Sequence, residues 1–151
     1  MFIRKLDAGV GHVCISQVGY SVIQGSWSYN TSTTFTFMTE VVNGAGPAIG
    51  DAITHLVFLA QGTYKVHGVH ISASNRGQIK LSLSSGAMAP LTIHTADLYS
   101  AVSDTGHTES SSTFSVPADG IYVLKFEITG KNASATNYFG GYQKLVLVRQ
   151  S

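Results

Sequence analysis

Residues 120–129, GIYVLKFEIT, alternate so regularly that they leave little choice of backbone. Tyr122, Leu124, Phe126 and Ile128 fall on one face of an extended chain, and Ile121, Val123, Lys125, Glu127 and Thr129 on the other. Side chains of a strand point alternately to opposite faces, so the segment predicts a half-buried antiparallel strand with its charges outward. Residues 78–83 repeat the pattern, with Ile79, Leu81 and Leu83 inward and Gln78, Lys80 and Ser82 outward. Residues 142–149 are apolar on both faces (Leu145, Val146, Leu147, Val148), which suggests cover on both sides, with another subunit as one candidate for the outer cover.

No long helical period competes with this reading. Further strands are expected at 34–42, where Phe35 and Phe37 share a face, at 55–60, at 63–71, and at Phe114 to Val116 before Pro117. Turn chemistry separates them at Asn43-Gly44-Ala45-Gly46-Pro47, Gln61-Gly62, Ser74-Asn75-Arg76-Gly77, Ser84-Ser85-Gly86, Ala118-Asp119-Gly120 and Gly130-Lys131-Asn132. Residues 101–112, AVSDTGHTESSS, read as a polar loop. The fold class that follows is all-β, an antiparallel β-sandwich of jelly-roll type spanning 34–151. An N-terminal segment, 1–33, is either an arm that contacts a neighbour or the first strands of the sandwich. Within it, residues 25–30 read as irregular or as a short edge strand.

The 151 residues suit one domain with its own core. Charged residues are 11% of the chain, against a usual share of about 25%. Such a surface tolerates assembly, although a Ser/Thr-rich β surface has the same composition. The net charge is +1 with no Lys/Arg cluster, which argues against nucleic-acid binding through phosphates and against a polybasic membrane contact. No apolar run approaches the roughly 18 residues of a membrane span, and Asp7, Gly9, Gly11 and His12 interrupt any export signal. A soluble protein that matures without export is expected. The single cysteine, Cys14, lies between Val13 and Ile15 and reads as a buried, inert thiol.

Six histidines raise the question of a metal. His67 and His70, the nearest pair, are three apart and so face opposite sides of a regular strand; only a bulge at Gly68 would bring them together. No supporting carboxylate pattern accompanies them, so neither metal nor cofactor is expected. Hydrolase, P-loop and dinucleotide-binding motifs are absent, and none of the 8 carboxylates forms an evident facing pair. No catalytic residue is nominated, and the chain reads as a non-enzyme. Aromatic residues are the better lead. Trp27, Tyr29, Tyr138, Phe139 and Tyr142 stand beside polar or glycine residues, where an exposed ring stacks on a sugar or anchors an interface. Packing as corner residues of the sandwich is the plainer alternative.

From Gly62 onward a series of short motifs appears in order: Gly62-Thr63-Tyr64, Asn75-Arg76-Gly77-Gln78-Ile79, Asp97-Leu98-Tyr99-Ser100, Gly120-Ile121-Tyr122-Val123-Leu124, and Gly130-Lys131-Asn132-Ala133-Ser134-Ala135 leading to Tyr138. This order resembles a jelly-roll module of the galactose-binding-like type that recurs in bacteriophage virion proteins. The chain departs from it at Ser84-Ser85-Gly86, where the family usually has an Asp-Gly turn, and in a longer segment to Pro90. The N-terminal part has no counterpart.

The resemblance implies a virion accessory protein made in the host cytoplasm. One role is a capsid decoration (cement) protein, a homotrimer clamping the major capsid protein and stabilising the shell by binding its assembled form. The other is a tail or fibre module that binds host glycan. Short length, low charge and the unassigned N-terminus favour decoration on the capsid surface. A free carbohydrate-binding module is the non-viral alternative. The candidate binding or interface residues are Trp27, Tyr29, Arg76, Tyr138 and Tyr142. A glycan binder should lose affinity on Trp27→Ala or Tyr138→Ala, and a cement protein should lose capsid binding on truncation of residues 1–30.

Overall fold

A computed structural model describes residues 11–17, 19–31 and 39–151. These residues form thirteen strands and no helix. One sheet runs β1 (His12–Ile15), β13 (Lys144–Arg149), β6 (Gly62–Ser72), β10 (Phe114–Val116), with β9 (Asp104–Ser110) on the same edge of β6 as β10. The second runs β2 (Ser21–Gln24), β5 (Ala52–Leu59), β11 (Gly120–Gly130), β7 (Gln78–Ser85), β8 (Met88–Asp97). A small third sheet, β12 (Gly141–Tyr142), β4 (Thr39–Asn43), β3 (Trp27–Thr31), adjoins them. Every strand pairing is antiparallel, and the whole is the β-sandwich that the alternation predicts.

The strongest alternating segment is central. β11 pairs with β5 on one side and β7 on the other, and its Tyr122, Leu124, Phe126 and Ile128 are buried. They meet Ile79, Leu81 and Leu83 of β7, Ile53, Val57 and Leu59 of β5, and Tyr64 and Val66 of β6 in one core. Each such side chain contributes roughly 1.5–3 kcal/mol by leaving water. Two tyrosines fix corners in the same way. The Tyr64 hydroxyl donates to the Ala60 carbonyl at 2.9 Å, and the Tyr122 hydroxyl to Ala118 at 2.7 Å. Each phenol satisfies its polar end on the turn just before its strand, so the ring is buried without an orphaned hydroxyl.

Several expectations change. Residues 101–112 are not a loop throughout, because β9 occupies 104–110. Its ladder with β6 requires only backbone groups, and Ser111 carries that edge on to β10: its Oγ accepts from Val66 N at 2.8 Å and its N donates to Val66 O at 2.9 Å. The terminal strand is broken. β12 belongs to the small sheet and β13 to the large one, with Gln143 N donating to Val69 O at 2.8 Å between them. In β13, Leu145 and Leu147 are buried, and Val146 and Val148 are half-buried on the outer face. Cys14 is exposed, because in β1 the neighbouring Ile15 takes the inward position. β1, β2 and β3 all join sheets. Phe35, Phe37 and the boundary at 33/34 lie outside the described residues.

Candidate functional site

The small sheet and two connections build an open, polar cleft of about 370 Å³. Register sets its walls. Trp27 pairs with Asn43, Ser28 with Val42 and Tyr29 with Val41. Alternation then sends Trp27 and Val41 toward the core and leaves Ser28 and Val42 to line the cleft. Asn75 and Arg76 come from the turn after β6, and Phe139 from the segment before β12. These two connections run side by side. Arg76 forms a parallel bridge with Phe139, Gly77 N donates to Phe139 O at 2.7 Å, and Thr136 N donates to Ser74 O at 2.9 Å.

A buried network pins the second connection to β4. Asn43 Nδ2 donates to Asp51 Oδ2 at 2.8 Å and to the Tyr138 carbonyl at 3.1 Å, while its Oδ1 accepts from Gly140 N at 2.8 Å. Asp51 Oδ2 also accepts from Ala48 N at 3.0 Å. Glycine is needed where the segment meets β4, since a Cβ on Gly141 would run into the Val41 carbonyl. The cleft is therefore a preformed shape rather than a gap between loops.

Its electrostatic centre is one ion pair. Arg76 Nη1 and Nη2 donate to Glu40 Oε1 and Oε2 at 2.7 and 3.1 Å, a two-point fork. The side chains are only 11% and 4% exposed. Burial raises the Glu40 carboxyl above its ordinary value, and the charge and hydrogen bonds of Arg76 pull against that rise. Arg76 Nε is buried and has no hydrogen-bond partner among the described residues.

The candidate residues gather around this end of the fold, in different roles. Arg76 lines the cleft. Tyr29 is exposed on β3. Tyr138 is half-buried, with Lys131 Nζ 4.9 Å from its ring centroid. Trp27 packs into the core, edge-on to Phe126 at 5.9 Å, and donates its indole N–H to the Gln24 carbonyl at 2.9 Å. Tyr142 is fully buried, out of reach of any ligand. Its hydroxyl meets His55 Nε2 at 2.6 Å and the Ser16 carbonyl at 3.1 Å, and burial pushes the phenol above its ordinary range. The motif reading missed Glu40, Asn43, Asn75 and Ser28. The alternation Glu40-Val41-Val42 was the available signal, since it puts Glu40 on the face opposite the buried Val41.

His67 and His70 do face opposite ways, with His67 exposed and His70 buried. Among the described residues no group of three or more His, Cys, Asp and Glu is placed to hold a metal ion.

No protein-family model matches the chain, and no curated protein matches it significantly. Solved structures do. A Paenibacillus xanthan lyase superposes with a TM-score of 0.68 at 17% identity over 86% of this chain, which spans only 12% of the lyase. The carbohydrate-binding module CBM6cm-2 of Cellvibrio mixtus lichenase 5A, solved with cellotriose, gives 0.56 at 15% identity, covering 87% of this chain and 90% of the module. The CBM36-1 domain of a multidomain xylanase from the hindgut metagenome of Trinervitermes trinervoides gives 0.53 at 10% identity, covering 91% and 96%. At these identities the likeness is one of fold: the chain is an all-β sandwich of the kind that carbohydrate-binding modules use.

Proposed function

We propose that this chain is a carbohydrate-binding module that holds a glycan in the Glu40–Arg76 cleft and catalyses no reaction on it. The observation that carries the proposal is the cleft itself. It is preformed and lined by the hydroxyl and amide residues Ser28 and Asn75 together with Val42 and the aromatic residue Phe139. Sugars present this same mixture, hydroxyls around their edges and C–H groups on their faces, which amides and aromatic rings respectively match.

The fold likeness supports the same reading, since two neighbours that match almost end to end are carbohydrate-binding modules, one of them holding cellotriose. The virion assignment implied by the phage resemblance draws no support from these neighbours. Neither the homotrimer nor a capsid partner has an observation behind it. Absence of catalysis fits the carboxylates nearest the cleft, because Glu40 is tied to Arg76 and Asp51 to Asn43.

Titration calorimetry with cellotriose and with a panel of soluble polysaccharides tests the proposal. Asn75→Ala and Phe139→Ala should each weaken binding about tenfold with the fold intact. Unchanged affinity in both variants would remove the cleft as the binding site.

A further inference from the structure

Resting on the glycan-binding reading, we infer that the cleft selects neutral, hydroxyl-rich sugars over uronates and other anionic glycans, because the cation that lines it, Arg76, is already committed to the anion beside it, Glu40. Among the described residues, Arg76 is the only basic residue lining the cleft and Glu40 the only acidic one. Their fork engages both carboxylate oxygens and one N–H on each terminal guanidinium nitrogen. A uronate entering to reach Arg76 meets the Glu40 carboxylate beside it, 2.7 Å from the same guanidinium. Like charges held together in a partly dry site repel strongly. A sugar hydroxyl carries no charge and meets no such repulsion. Lys131, the nearby cation on the segment before β12, is placed over the Tyr138 ring and does not line the cleft. The paired Arg76 and Glu40 therefore present the cleft with no net charge.

Affinity gel electrophoresis with the intact protein tests this. Neutral β-glucan, xylan, galactan and dextran would be compared with polygalacturonate and alginate, at about 20 and about 500 mM NaCl. Retardation by a neutral polymer that changes less than about twofold with salt, with none by the uronates, is the expected result. Glu40→Gln removes the anion and should bring salt-sensitive uronate binding of at least about threefold gain. The wild-type salt comparison stands even if that variant fails to fold. Salt-sensitive uronate binding by the wild type would overturn the inference and leave the glycan-binding reading standing. No retardation by any polymer of either class would overturn both.

Discussion

The imidazole of His55 and the phenol of Tyr142 meet at 2.6 Å inside the sandwich, 87 residues apart in the chain. The Tyr142 hydroxyl donates its proton to the Ser16 carbonyl, so it accepts from His55 Nε2–H. This chain of bonds ties β5, β12 and the end of β1 together. Tyr142→Phe keeps the ring but takes away the acceptor of the buried imidazole N–H and the bond to the Ser16 carbonyl. A loss of about 1–3 kcal/mol is expected, read as a lower midpoint in urea denaturation with an unchanged slope.

Acid should unfold the domain through its buried imidazoles. Burial lowers His55 from an ordinary 6.5 to about 4. His70 falls equally, to about 4, chiefly by burial, although its bond to the Gly141 carbonyl opposes the fall. His94 is lowered too, for the same first reason. The folded state keeps these rings neutral while the unfolded chain protonates them near pH 6.5. Their stabilisation is thus fully present above pH 6.5 and is lost as pH falls toward about 4. His55 and His70 should each account for about 3 kcal/mol over that window. Thermal melts at pH 7, 5.5 and 4 check the sign; a melting temperature that rises on acidification would contradict it.

What was legible in the sequence tracks how strongly a strand's two faces differ. β11 and β7 were plain because both alternate apolar residues with Lys or Glu. β8 was not, since Pro90 sits inside it and most of its residues are exposed, with two register shifts against β7. β9, DTGHTES, has no apolar residue at all and is held by its backbone, by the His67–Ser110 side-chain bond and by the Ser111 bonds. At the site, the aromatic positions did not tell which rings were free. Trp27 and Tyr142 look alike in sequence to Tyr29, and only the packing of Phe126 and His55 separates them. Alternation could place Glu40 on the face opposite Val41, but not pair it, because Arg76 lies 36 positions away.

Cys14 offers a direct check on the N-terminal strand. Its thiol faces outward from β1, opposite Val146 in the pairing with β13. One equivalent of thiol should react with Ellman's reagent in the native protein, at a rate close to that of the unfolded chain. Protection that lifts only on denaturation would mean that β1 presents its other face.

The Glu40–Arg76 pair makes the most discriminating stability experiment. Removing one partner of a buried pair leaves the other charge with neither water nor counter-ion. Glu40→Ala strands the Arg76 guanidinium, which cannot lose its proton, and should cost about 3 kcal/mol at any pH near neutrality. Arg76→Met strands a carboxyl, which can take up a proton and become neutral. Burial already raises Glu40, and without Arg76 to pull it down the value rises further. A carboxyl raised in the fold is tolerated at low pH and becomes destabilising as pH climbs through its folded value. Arg76→Met should therefore approach wild-type stability near pH 5 and fall behind it toward pH 8, whereas Glu40→Ala should show no such trend. Replacing both residues by Met should recover most of the stability while abolishing glycan binding, because two apolar side chains of similar length fill the space without any charge to desolvate. Denaturation of the three variants across that pH range separates the energetic role of the pair from its role in recognition, and a flat pH response for Arg76→Met would show that Glu40 stays hydrated when its partner is gone.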